Sequence, residues 1–519
     1  MKVVVVGAGH NGLVAACYLA REGCDVTVLE QSTAPGGGSR TEETVPGFRF
    51  DTHSVAHNMI NMTSIPAELR LAAAGLEYQE MEPFAAGFLA DGRIVRFHRS
   101  IERTVASIAE HDPAESRRYA DLMHRAVPLI DVAVAGMSTA STAADAARTA
   151  VSRIARLTTA ARRFGGPAGL AHALMAPYGG LLRTHLGSDL TRAPISAFAA
   201  HSSAGPDLVG GSLYALWQAA YHRFGQWHAR GGAQALTDAL VTRLQSYGGT
   251  VHTGQSVTSI NTTGGRVNGV TVQNGQLCAA DRVVTAIDPR VALLELCDPP
   301  LSGQAAAELA AAHRGNAVQM VVHLATTELP PYRNARAGDW NGLQSHVDTL
   351  DELARGFRAA EAEHLPDPVP TYAFTTSALD DTLAPPGQHT VYLACPCAPS
   401  IVDGGWAQHG ELFAERMIDS MEAHAPGFRD TIVGMSIRTP QLMDSELRWP
   451  GAHPMVLDIS LDQLAFFRPT RRLASHRTPI EGLFISGGGT APTGGISGVP
   501  GKAAAAAALG RRLRALGPG

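Results

Sequence analysis

Lys2-Val3-Val4-Val5-Val6-Gly7-Ala8-Gly9-His10-Asn11-Gly12 opens the chain, and its reading decides the fold. Lys2 to Val6 is a run of β-branched residues of the kind found in a parallel strand buried on both faces. Glycines 7, 9 and 12 give the spacing G-x-G-x-x-G, and Leu13 to Ala20 is helical in composition. Gly7 permits a tight turn, Gly9 lets backbone approach a pyrophosphate, and Gly12 lets the helix lie close on the strand. The helix start, with His10 and Asn11, then faces the phosphates with free N–H groups and the positive end of its dipole. A second strand, Asp25 to Leu29, ends in Glu30 with Gln31 beside it, 18 residues beyond Gly12. A carboxylate there accepts hydrogen bonds from ribose hydroxyls. An ordinary βαβ unit with a glycine-rich turn would leave Glu30 unexplained.

The same run is expected to be mature structure and not an export signal, because three glycines and two polar residues interrupt the apolar stretch at once. No stretch of 18 apolar residues follows, so no spanning segment is expected. The 519 residues suggest two to four structural units. With 45% hydrophobic and 17% charged residues a chain disordered throughout is excluded, and a mean hydropathy of −0.01 argues against an integral membrane protein. A net charge of −5 gives no long-range attraction to nucleic acid. The six cysteines are sparse and fit a reducing cytoplasm. Cys395-Pro-Cys397 is the one close pair; its spacing is shorter than a zinc C-x2-C, so buried structural thiols are expected and no metal site.

Beyond Glu30 come Gly36-Gly37-Gly38-Ser39-Arg40 and Gly47-Phe48-Arg49-Phe50-Asp51. Further on stand Arg230-Gly231-Gly232, Gly248-Gly249-Thr250-Val251, Val257-Thr258-Ser259-Ile260 and Leu461 to Pro469. Near the end runs Gly482-Leu483-Phe484-Ile485-Ser486-Gly487-Gly488-Gly489, continuing through Gly495-Ile496 to Gly501. In these stretches the sequence resembles the FAD-dependent amine oxidase and phytoene desaturase superfamily. It is similar to the carotenoid-desaturase-like oxidoreductases close to the pyridine nucleotide-disulfide oxidoreductase domain 2 protein. The resemblance implies FAD, with Gly36, Gly37 and Gly38 near its pyrophosphate and Arg40 substituting for an arginine that relatives carry directly after the pair. It implies backbone pairing of Val257 with adenine, and Gly488, Gly489, Gly495 and Ile496 beside the flavin. Many relatives have histidine where Ala491 stands.

The implied fold is α/β: a Rossmann-type FAD-binding domain of the glutathione-reductase-2-like kind with an inserted α+β substrate domain. The cofactor domain is expected over 1–90, 225–300 and 466–519, and the substrate domain, with a helical subdomain, over 91–224 and 301–465. Physically, a buried strand at Leu483 to Ser486 delivers glycines to the ribityl chain without Cβ clashes. A helix starting near Val499 points its amino terminus at the flavin pyrimidine edge.

A second nucleotide fingerprint and a C-x2-C or C-x4-C redox pair, which a disulfide reductase would need, are both missing. The primary expectation is therefore an FAD-dependent desaturase acting on a small hydrophobic substrate such as a polyene, isoprenoid or acyl chain, with O2 or a quinone-like acceptor restoring the flavin. His53 and His57, in Asp51-Thr52-His53-Ser54-Val55-Ala56-His57, are the candidate proton acceptors, ahead of Asp51. Trp227-His228 is a candidate for the pocket wall. An amine or amino-acid oxidase remains an alternative. Many such enzymes place a lysine near N5, and of the 42 basic residues only Lys2 and Lys502 are lysines, so Lys502 alone would serve. A flavin-dependent isomerase or a catalytically silent FAD-binding protein is a third reading.

One helix is expected over about 147–164, with Arg148, Arg153, Arg156, Arg162 and Arg163 on one half of its wheel and alanine, valine, isoleucine and leucine on the other. Such a helix suits a membrane surface and a peripheral contact there. The alanine-rich apolar face favours the plainer reading of a solvated helix. Oligomeric state leaves no mark in the sequence.

Overall fold

The computed structural model describes residues 1–139, 142–511 and 513. Its organising element is a five-stranded, all-parallel sheet in the order Leu483–Ile485, Arg282–Thr285, Lys2–Val6, Asp25–Leu29, Thr250–His252. The opening strand is central, and its valines explain themselves by alternation. Val3 and Val5 pack among the helices His10–Arg21, Gln234–Ser246 and Val499–Leu509. Val4 and Val6 face the opposite layer with Val257, Ile260, Val267 and Leu293. Both faces are dry, so an alternating polar pattern has no place here. That opposite layer is a four-stranded sheet in the order Leu277–Ala279, Arg266–Val272, Val257–Thr263, Cys297–Asp298.

The second unit is a seven-stranded mixed sheet in the order Ile432–Arg438, Ala317–Thr326, His389–Pro399, Tyr372–Phe374, Leu343–Ser345, Ala85–Phe88, Ile94–Phe97. Along His389–Pro399, Val391, Leu393 and Cys395 turn to one face and pack with the helices Leu350–Glu361 and Trp406–His424. Tyr392 and Ala394 turn to the other face, toward a helical block built on the long helix Pro113–Thr139. Cys395 and Cys397 are buried free thiols with their sulfurs 4.0 Å apart. Among the described residues no group of three or more His, Cys, Asp or Glu is arranged to hold a metal.

Two boundaries differ from the sequence reading. The expected division at residue 90 falls inside the hairpin Ala85–Phe88/Ile94–Phe97, which is part of the seven-stranded sheet, so the cofactor unit ends before Ala85. At the other division, Ala305 and Leu309 pack in the cluster that holds Val4 and Val6, so the helix Gly303–Ala310 belongs with the cofactor unit. The single helix expected over 147–164 is two, Ala143–Ser152 and Ile154–Arg163, broken at Arg153 (φ −114°, ψ 18°). The Ser152 hydroxyl donates back to the Thr149 carbonyl, a local bond that competes with helix continuation.

Candidate functional site

A cavity of about 800 Å³ begins at the carboxyl ends of the central parallel strands and continues between the seven-stranded sheet and the helical block. Ligands of open α/β sheets bind at those strand ends. Gly7, Gly9, His10 and Asn11 form one wall there, and Glu30, Gln31, Gly37, Gly38 and Val257 form the side beside the second strand. Gly488, Gly495 and Ile496 close the far side.

The turn has the shape that its glycines allow. Gly7 adopts φ +96°, and a Cβ at Gly12 would lie 2.1 Å from the Gly7 carbonyl oxygen, so only a bare Cα lets this helix sit on this strand. A Cβ at Gly9, by contrast, would meet nothing within 4 Å: bare backbone faces open cavity. The first intrahelical bond runs from Leu13 N–H to the Gly9 carbonyl (3.0 Å), so the preceding amides have no acceptor within the helix. The Asn11 Oδ1 is buried without a partner. The Glu30 carboxylate accepts from the Ala8 amide (2.8 Å) and the Ser32 amide (2.9 Å), which holds it at the end of the second strand. Open glycine backbone, unpaired helix-terminal donors and a fixed carboxylate are the donor set that a dinucleotide requires.

Four of the expected cofactor residues lie behind this wall. Gly12 serves helix packing as above. Gly36 (φ +132°) donates its amide to the Ala8 carbonyl (2.9 Å) and ties the glycine loop to the turn. A Cβ at Gly489 would meet the Pro289 ring at 2.7 Å. Arg40 is not among the wall residues, and its guanidinium pairs with Glu42, two residues on.

The histidines separate in the same way. His53 is on the wall, 5.6 Å from Trp449 edge to face, and its carbonyl accepts from the Tyr392 hydroxyl (3.2 Å). Burial, reinforced by Arg438 and Arg40, lowers its pKa to about 3. His10, also on the wall, is lowered to about 4 by burial, partly offset by its bond to the Gly495 carbonyl. His57 lies behind the wall, its Nδ1 3.1 Å from the Tyr78 hydroxyl, and its pKa is lowered to about 3 by burial and by His228. Asp51 is likewise structural, accepting from the Thr41 hydroxyl and the Ala233 amide, both at 2.7 Å. The pair Trp227-His228 is not wall either. His228 is fully buried and bonded to Asp380 (3.0 Å), which also accepts from the Gly231 amide (2.7 Å). Lys502 is turned away from the cavity and paired with Glu68 at 2.8 Å.

Sequence reasoning missed the residues that give the inner chamber its character. Tyr372, Phe374 and Tyr392 project from the seven-stranded sheet, and Phe198, Trp217 and Tyr221 from the helices opposite. The spacing of Tyr372 and Phe374, two apart on one strand, was the available signal. Arg468 is fully buried and donates to the carbonyls of Gly488, Asp458, Gln463, Leu457 and Met455, fastening the glycine loop to the neighbouring loop. Burial lowers its pKa to about 10 and leaves it charged at neutral pH. The charged residues of the wall, Glu30, Asp288 and Arg448, all stand at the nucleotide end, and Asp288 is paired with Arg314.

The sequence matches the model of the family described as flavin containing amine oxidoreductase over residues 12–508. It is 30% identical over 538 residues to the mouse pyridine nucleotide-disulfide oxidoreductase domain-containing protein 2, covering 97% of this chain and 92% of the relative. It is 30% identical over 312 residues to a lycopene-forming phytoene desaturase of Paracoccus sp., covering 58% and 59%. Cyclohexylamine oxidase from Brevibacterium oxydans shares the fold, with a TM-score of 0.58 at 17% identity over 98% of each chain. FAD is accordingly the cofactor for which this cradle is built, and the chain belongs to the flavin-containing amine oxidoreductase family.

Proposed function

We propose that this FAD-dependent oxidoreductase is a dehydrogenase of the desaturase type, which converts a saturated carbon pair of a large apolar molecule into C=C. One observation carries the reading. Beyond the nucleotide end, the cavity wall holds, among the described residues, aromatic, aliphatic and small side chains with neutral polar groups, and no carboxylate or lysine. Such a chamber stabilises an uncharged hydrocarbon by burial and offers no counter-ion to an ammonium group. The 30% identity to a phytoene desaturase points the same way.

Bound FAD supplies the acceptor for a hydride equivalent. The protein holds the substrate in a dry slot between Tyr372, Phe374 and Tyr392 on one side and Phe198 and Tyr221 on the other. We assign the proton-accepting side to His53, the one of the two candidate imidazoles that is on the wall. A ring of such low basicity suffices, because a carbon that has lost hydride gives up the adjacent proton readily. Oxygen or a quinone-like molecule takes the electrons in the second half-reaction.

Anaerobic mixing of the holoprotein with long polyenes, isoprenoids and alkyl amines tests the assignment. Bleaching of the flavin band by an apolar substrate with formation of a new double bond is the expected result. Bleaching by amines alone would replace it with the amine-oxidase reading, and product without bleaching at steady state would make the protein an isomerase.

A further inference from the structure

The outer end of the cavity is covered by a helix that buries none of its own residues. Ala143–Ser152 contributes Ala146, Thr149 and Ala150 to the cavity wall, yet all its described side chains keep some exposure. The helix after it, Ile154–Arg163, buries only Ala160. At the joint between them, Val151 is 72% exposed and Ile154 61%. On the adjoining side of the cavity, Met175 is 56% exposed, Val209 60% and Leu461 39%. These belong together: the Met175 carbonyl accepts from the Gly210 amide (2.9 Å), and a Cβ on Gly210 would touch Leu461 at 2.3 Å. Leu174, Gly210 and Leu461 are themselves cavity wall. Large apolar side chains scattered singly over a surface need no explanation, but a group of them rimming the end of a greasy cavity does.

Charge marks the same face. Residues 142–175 carry five arginines and one aspartate in a chain whose net charge is −5. That aspartate, Asp145, is paired with Arg148. Among the described residues, Arg153 and Arg162 form no ion pair. The break at Arg153 falls between Val151 and Ile154, and both stay exposed on either side of it.

We propose that this face, formed by 143–163 with the helix end at Met175 and the loop at Val209, docks on an anionic lipid bilayer. The exposed apolar side chains enter the headgroup boundary and the arginines meet lipid phosphates. No helix among the described residues is long and apolar enough to cross a membrane, so the contact is a surface one. A second copy of the chain fits less well, since a two-fold contact would set the same arginines against each other. Loading of substrate from the bilayer into the cavity rests on the apolar-substrate reading above. Docking does not.

Flotation of the holoprotein with vesicles tests it, comparing pure phosphatidylcholine with phosphatidylcholine containing roughly 30% phosphatidylglycerol. The wild type floats with the anionic vesicles and stays behind with the neutral ones. The double variants V151D/I154D and R153Q/R162Q each lower the vesicle-bound fraction about tenfold or more, with FAD content and melting temperature unchanged because all four positions are exposed. Absence of wild-type flotation on anionic vesicles, or undiminished flotation of both variants, overturns the proposal. A lipid-free dimer that the variants dissociate, without vesicle binding, also overturns it and assigns the face to a second copy. A polyene carried in the vesicles reads the loading route: its bleaching of the flavin slows in the variants, whereas detergent-dispersed polyene reacts as with wild type. If no polyene bleaches the flavin while flotation persists, the substrate reading fails and the docking face stands.

Discussion

Gly9→Ala separates what the opening turn does for the fold from what it does for the cofactor. Gly9 has φ −66° and ψ 163°, which alanine adopts without strain, and the added Cβ meets no protein atom within 4 Å. Removal of glycine's freedom in the unfolded chain therefore stabilises the apoprotein by about 0.4–1 kcal/mol. The methyl group instead projects into the cavity where a bound diphosphate would lie against bare backbone. Overpacking of that contact costs roughly 1–3 kcal/mol, or about 5- to 150-fold in Kd. Gly12→Ala is the control. Its Cβ would lie 2.1 Å from the Gly7 carbonyl oxygen and 3.0 Å from the Ala286 Cβ, so the helix must move off the sheet, at a cost on the order of 3 kcal/mol to the fold itself. Thermal melts of the apoproteins followed by circular dichroism, and FAD titrations followed by fluorescence quenching, give the two quantities. Apo Gly9→Ala that melts well below wild type, or that binds FAD as tightly, would refute the placement of the diphosphate.

Glu30→Ala removes the acceptor for the Ala8 and Ser32 amides and for a ribose hydroxyl; FAD affinity falls by about 1.5–3 kcal/mol, read as flavin content after purification. Lys502→Ala leaves Glu68 buried with only Tyr18 and Ser64 as partners and lowers stability by roughly 1–3 kcal/mol in denaturant melts. The same variant keeps the wild-type rate of flavin reduction, because that ammonium does not face the cavity. Acid destabilises the protein. His10 and His476 (pKa lowered to about 4) and His53, His57 and His453 (lowered to about 3) are buried neutral. A lowered histidine contributes stability that is present above its unfolded pKa and is lost as pH falls below about 6.5, each with a slope approaching 1.4 kcal/mol per pH unit. His228, raised by Asp380, has the opposite sign and offsets one of them. Melting temperature should drop between pH 7.5 and 5.5; a flat or rising profile would contradict this burial.

What the sequence revealed, it revealed through local constraints. The valine run has no polar alternation because both its faces are buried, and the glycine spacing is legible because two of its positions tolerate nothing but a bare Cα. Glu30 follows the second strand directly, so its place at the strand end is fixed by chain continuity. The residues that escaped are those whose orientation depends on partners far along the chain. His53 and His57 are four apart, yet one meets Trp449 and the other Tyr78, and no local pattern distinguishes them. Arg40 pairs with Glu42 at a distance of two residues, a contact that a motif comparison does not weigh. The aromatic chamber draws on segments near 198, 221, 372 and 392; sheet register sets Phe374 opposite Tyr392, and the packing of two helices adds Phe198 and Tyr221.

The opening strand sits between Asp25–Leu29 and Arg282–Thr285, with Leu483–Ile485 one place further out. Synthesis runs from amino to carboxyl end, so this valine ribbon is made long before Arg282–Thr285 and waits for that flank while residues 7–281 are added. At about 5–20 residues per second, the interval before the last strand arrives is roughly 25–100 s. Throughout that time a bare, sticky edge is available to other nascent chains. Vectorial folding therefore cannot finish the nucleotide fold piecemeal: the central strand gains its second neighbour only when Arg282–Thr285 arrives, and the sheet is complete only with Leu483–Ile485.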